Sequence, residues 1–166
     1  MSENLKTVEV SVSGIRPLLM HKRPNSLEAV NFQAEITKIL QKNPYDIEAQ
    51  KKEAELGLYR TQKGMIFIPA TWIHEAMIKA ATEIQVKGRG KKTYKDYVKS
   101  YVFIEPEEIP IEPQDYEVDT RFVKIQRSGI LRNRPRFDDW KASFNIKITD
   151  PTLPVDTIKE ILEIAG

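Results

Sequence analysis

Arg132, Arg134 and Arg136 recur at every second position, followed at once by Phe137 and then by Trp140. Residues two apart share one face of an extended strand. Three guanidiniums in such a row would offer planar donor forks to a phosphate backbone. Arg127 lies just upstream, and the aromatic rings could stack on unpaired bases at about 1–3 kcal/mol per base. A second cluster, Lys87-Gly88-Arg89-Gly90-Lys91-Lys92, combines cations with glycines that let main chain approach phosphates. It lacks Walker spacing, so nucleotide hydrolysis is not expected from it. A third, His21-Lys22-Arg23, follows a short apolar run. The competing reading treats the basic segments as solvated loops. In it the arginines pair with Asp138, Asp139 and the acids near Glu105, while Phe137 and Trp140 belong to the core.

His21 and His74 are the only histidines, and Cys is absent. Without thiolates, and with no carboxylates at ligand spacing, the sequence predicts no metal site and no cofactor. His21 could serve as the general base of a metal-independent ribonuclease, with Lys22 or Arg23 stabilising charge. Against that stands an ordinary exposed loop histidine. His74, on the first turn of an apolar helix, suits a hydrogen-bonded structural role. Glu107, Glu108 and Glu112 have the spacing of neither a catalytic pair nor a calcium loop.

The elements that would carry these residues follow from periodicity. Thr7–Gly14 alternates like a half-buried strand, and Leu18-Leu19-Met20 could continue it after a bulge. Asn25-Ser26-Leu27-Glu28 resembles a helix start, and Asn43-Pro44 ends that helix. A second, highly charged helix covers Asp46–Leu56. Leu58-Tyr59-Arg60 and Met65–Ile68 read as a hairpin turning at Gly64. Trp72, Ile73, Ala76, Met77, Ala80, Ala81 and Ile84 form an apolar helical stripe with Thr71 as its cap. A short helix near Tyr94–Lys99 leads to a strand at Tyr101–Ile104. The acidic, Pro-rich stretch near 105–115 reads as an edge or connector. Strands follow at Tyr116–Ile125, from Ile130 and at Phe144–Ile148, then a last helix through Ile158, Ile161 and Leu162.

Strands mixed with crossover helices indicate an α+β fold with a mainly antiparallel sheet. A ferredoxin-like (RRM-type) core fits best, with inserted helices and loops. At 166 residues and 19.2 kDa the chain suits one domain, 1–166, with a basic loop insertion near 86–95 and the acidic connector near 105–115. Net charge is only +2, with a pI of 8.7, so the segregation of charge matters more than its sum. No long apolar run or signal-like start is present, which places the protein in the cytoplasm, of a microbe or a virus-infected cell, with no membrane partner.

Ile66-Phe67-Ile68-Pro69-Ala70-Thr71-Trp72-Ile73-His74-Glu75-Ala76 resembles the RAMP superfamily, the RNA-binding subunits of CRISPR effector complexes. In that family a strand ending in Ile-Pro runs into a Ser/Thr-containing turn and a helix opening the second half of the fold. The resemblance implies RNA binding, and some relatives cleave RNA with a histidine. Gly129–Trp140 is also similar to a segment of uncharacterised phage and prophage proteins, from which no activity follows.

Together these readings predict a non-catalytic protein that binds single-stranded nucleic acid, RNA or single-stranded DNA. The residues expected to bind are Lys22, Arg23, Lys87, Arg89, Lys91, Lys92, Arg127, Arg132, Arg134, Arg136 and Phe137. The alternatives are the His21 ribonuclease and an oligomerising structural or assembly protein. The partners expected are a single strand and, beyond it, a homo-oligomer or larger nucleoprotein assembly.

Overall fold

A computed structural model describes residues 5–125 and 128–166. Eight strands and five helices are present among them, so the α+β class stands. In chain order they are β1 (Lys6–Ser13), β2 (Leu18–Leu19), α1 (Leu27–Lys42), α2 (Ile47–Leu56), β3 (Phe67–Pro69), α3 (Ala70–Ala80) and α4 (Lys95–Tyr101). β4 (Val102–Glu105), β5 (Glu108–Glu112), β6 (Glu117–Ile125), β7 (Ser128–Phe137), β8 (Lys141–Ile148) and α5 (Val155–Ala165) complete the series. They form two compact units, each assembled from separate stretches of chain.

The first unit takes the residues up to Val12, Phe67–Pro110 and Ala142–Gly166. Its sheet runs β1-β8-β5-β3, with β4 also paired to β8. β1 keeps the alternation read from the sequence, with Val8, Val10 and Val12 half-buried between exposed neighbours. β8 buries Ala142, Phe144, Ile146 and Ile148 on one face. Met77, Ala80, Val98, Ile158 and Ile161 bring α3, α4 and α5 into the core.

Three expectations change here. The acidic, Pro-rich stretch is no connector: β5 lies between β8 and β3, in register from Phe67↔Pro110 to Pro69↔Glu108. Ile109 and Ile111 are both fully buried. Burying two isoleucines at roughly 1.5–3 kcal/mol each outweighs the one ladder bond, about 1 kcal/mol, that Pro110 cannot donate. Thr71 is not the cap of α3. That helix starts at Ala70 with Pro69 in the cap position, two residues earlier, and the Ala70 N–H donates to the Glu107 carbonyl at 2.9 Å. The apolar stripe reaches Ile84, yet α3 ends at Ala80, where the Thr82 hydroxyl donates to the Lys79 carbonyl at 2.7 Å and tight turns replace the helical ladder.

The second unit takes Ser13–Ile66 and Ile111–Lys141. Its three-stranded sheet has the order β2-β7-β6. Leu18 and Leu19 do not extend β1; they pair with Phe137 and Arg136 of β7. β6 and β7 form a long antiparallel hairpin, from Glu117↔Arg136 to Lys124↔Gly129. Ser26 caps α1 by accepting from the Ala29 N–H, and Asp46 caps α2 by accepting from Ala49. Ile36, Leu40 and Ala49 join the two helices, with Leu56 against them. The hairpin expected at Leu58–Ile68 is reduced to one bridge, Arg60↔Ile66, because β3 pairs with β5 instead. Its turn stands as read, with Gly64 at φ 85°.

Candidate anion-binding cleft

β7 alternates strictly: Asn133, Pro135 and Phe137 are buried, while Arg132, Arg134 and Arg136 share the opposite, half-buried face. The three arginines are therefore aligned as their spacing predicts, but their surroundings differ. Arg132 donates from Nη1 to Glu53 Oε1 at 2.9 Å. Arg136 donates to Asp138 from Nε and Nη2, and its Nη1 lies 3.7 Å from Asp119. The Arg134 side chain makes no ion pair or hydrogen bond with any described residue, and its Nε is buried without an acceptor among them. Asp119 is opposite Arg134 in the β6–β7 register, yet its carboxylate is engaged by Arg121 at 2.6 Å and by Arg136.

Glu53 organises this region. It is 7% exposed, on the face of α2 that meets β7. Besides Arg132, it accepts from the Asn133 main-chain N–H at 3.2 Å and from Asn133 Nδ2 at 2.6 Å. Asn133 Oδ1 in turn accepts from the Thr120 hydroxyl at 2.6 Å. A buried carboxylate is tolerable when both oxygens are hydrogen-bonded and its charge is paired, and both conditions hold. The sequence reading passed over Glu53 among the charges of α2. The signal was its spacing: four residues after Ala49 and three before Leu56, it falls on the buried stripe of that helix.

His21 is placed by main chain on both sides. The Met20 N–H donates to the Pro135 carbonyl at 3.1 Å, and the Lys22 N–H donates to the Gly57 carbonyl at 2.9 Å. Gly57 permits this approach, since a Cβ there would meet Pro135 Cδ at 3.1 Å. The imidazole sits at the rim of a cleft of about 240 Å³, lined also by Lys22, Arg23, Arg60, Arg132 and Arg134. Partial desolvation, then the charges of Arg134 and Arg132, lower its pKa below 6.5; Glu53 opposes this and Arg23 adds to it. His21 is thus neutral near pH 7.

The cleft's second carboxylate, Glu55, is also committed. It accepts from Arg60 Nε at 2.8 Å and from the Tyr116 hydroxyl at 2.6 Å. Burial would raise this carboxyl, but those two bonds and the Arg60 charge hold it below its ordinary value. Burial and the bond to Glu55 push the Tyr116 phenol up to about 12. With both carboxylates engaged, Lys22, Arg23 and Arg134 face the cleft without a carboxylate partner among the described residues. Lys22 Nζ stands 5.8 Å from the centre of the Tyr59 ring.

The other expected binding residues fall elsewhere. Phe137 is 1% exposed and packs its ring 6.0 Å from Tyr116, so it is a core residue with no face left for a base. Trp140 donates from Nε1 to the Arg16 carbonyl at 3.1 Å, and Gly14 lies directly beneath its indole. Lys87, Arg89, Lys91 and Lys92 are exposed on a turn of the first unit, with Gly88 and Gly90 at positive φ. The Val86 N–H donates to the Lys92 carbonyl at 2.8 Å, and Lys92 Nζ lies over the Tyr97 ring at 5.1 Å. Arg127 lies outside the described residues. His74 is half-buried in α3 with Nε2 3.2 Å from the Val98 carbonyl, the structural role its position suggested. Among the described residues, no group of three His, Asp or Glu side chains could hold a metal ion, and no helix is long and apolar enough to cross a membrane.

The sequence matches no protein-family model, and a comparison with curated proteins finds no match either.

Proposed function

We propose that the chain is a non-catalytic binder of single-stranded nucleic acid, RNA or single-stranded DNA, in a microbial or viral system. The observation that carries the reading is the cleft in which Lys22, Arg23 and Arg134 lack carboxylate partners while both neighbouring carboxylates are already engaged. Such a surface attracts an anion and offers no competing intramolecular one. A buried Arg134 Nε favours a flexible single strand over a duplex, whose convex backbone reaches recessed donors poorly. The basic turn Lys87–Lys92 of the first unit is a separate cluster of exposed cations that belongs to the same proposal. The RAMP-like and ferredoxin-like readings belong to the same proposal. They draw support from the antiparallel pairing in the first unit and from the direct passage of β3 into α3.

Binding of labelled single- and double-stranded RNA and DNA at two salt concentrations tests this. Single strands should bind better. Three cations that release counterions give a log–log salt slope of about −2 for a single strand. Equal binding of duplex and single strand, or none at low salt, would overturn the reading.

A metal-independent ribonuclease using His21 is the second reading. A neutral imidazole beside Arg134 has the charge state a general base requires. Glu53 and Glu55, the acids nearest to it in the cleft, are both tied up in hydrogen bonds, which leaves the second proton-transfer role unfilled. Chelator-resistant cleavage of RNA but not DNA, lost in His21→Ala, would establish this reading instead.

A further inference from the structure

We infer that the cleft between His21 and Arg134 is a seat for a phosphate monoester, carried at the end of a nucleic-acid strand or by a free mononucleotide. The inference rests on the proposed binding of nucleic acid and narrows it to one chemical group. At about 240 Å³ the space falls below the roughly 300–1,000 Å³ of ordinary ligand pockets. It holds one phosphate with part of its sugar.

Three features select the dianion. The Arg134 Nε is a buried donor with no acceptor among the described residues. Buried donors are ordinarily satisfied, and an oxyanion is the strongest acceptor for a guanidinium. Lys22 and Arg23 stand on the same cleft without carboxylate partners, so a group with two charges gains more than a diester with one. His21, neutral and held by main-chain bonds on both sides, can donate one ring N–H to a phosphate oxygen. The anions nearby are spoken for: Glu53 by Arg132 and Asn133, Glu55 by Arg60 and Tyr116, and Asp119 by Arg121 and Arg136.

The test uses the full chain and one short single strand, labelled internally, with phosphate or hydroxyl at each end. Competition by a nucleoside monophosphate is measured against the parent nucleoside. A phosphorylated end should bind about ten- to a hundredfold tighter, the worth of one or two charge-assisted hydrogen bonds. Arg134→Gln should abolish that preference. If Arg134→Gln does not fold, Arg23→Ala at the exposed rim should still cut the preference several-fold. Competition by the monophosphate, with no effect of strand phosphorylation, assigns the seat to free mononucleotides. Strand binding that ignores both phosphorylation and the monophosphate overturns the seat and leaves nucleic-acid binding standing. Monophosphate binding by a chain that binds no strand overturns the proposed function and keeps the seat. Failure of every ligand overturns both.

Discussion

The Arg132 guanidinium and the Glu53 carboxylate meet at 2.9 Å across the α2–β7 packing, with their side chains 23% and 7% exposed. Arg134, two residues along the same strand face, has no such partner among the described residues. Neighbouring arginines that look equivalent in the sequence therefore have separate tasks, one in holding the unit together and one in facing the cleft.

Glu53→Ala should destabilise the second unit by about 3 kcal/mol, since it leaves the Arg132 guanidinium and the buried Asn133 Nδ2 without their acceptor. Arg132→Ala should cost a similar amount by stranding Glu53, and the double variant should cost less than the sum. Denaturant unfolding of the three variants checks this, and additive losses would rule out the coupling.

The three basic tracts are contiguous in sequence, so they were legible there, and so was the alternation that aligns the arginines. Which arginine is free was not legible, because the answer lies in Glu53, some eighty residues away and hidden in a charged helix. Phe137 reads as a stacking ring only until β2 and Tyr116 are known to close over it. The fold was clearest where burial is one-sided, as in β1 and β8. It was least clear at β5, where prolines argue against the interior position that two isoleucines impose.

His21 should titrate below its ordinary 6.5 in the folded chain and move back toward it in Arg134→Gln. Well above pH 6.5 the group is neutral whether folded or unfolded and contributes nothing. As pH falls below 6.5 the unfolded chain takes up the proton first, so folded stability declines. Ring-proton NMR titration of wild type and variant measures the value directly, and an unshifted His21 would contradict the charge environment described.

Tyr116 should remain protonated to about pH 12 while ordinary phenols ionise near 10. Its pKa is raised in the folded chain, so the stability it lends is present below pH 10 and lost between 10 and 12. A phenolate absorbance titration should show a late step near pH 12 that is missing in Tyr116→Phe. The same variant should raise the Glu55 carboxyl, which loses a donor.

Gly14→Ala should destabilise by about 1–3 kcal/mol, because the added methyl overlaps the Trp140 indole. Displacing the ring would break the Nε1 bond to the Arg16 carbonyl. Thermal melting and indole fluorescence, compared in a Trp72→Phe background, report the two effects. An unchanged melt with unchanged emission would place the indole elsewhere.

The chain changes unit at residues 12/13, 66/67, 110/111 and 141/142, and this arrangement governs how the protein can be made and cut. During synthesis β1 leaves the ribosome before the second unit, yet its sheet neighbour β8 emerges only after that whole unit. The second unit can close on itself while the first still lacks a strand. A proteolytic nick at any of the four junctions divides the first unit, whereas only nicks at 66/67 or 110/111 also divide the second. The first unit can be obtained alone only by excising Ser13–Ile66 and Ile111–Lys141 and rejoining the three remaining pieces.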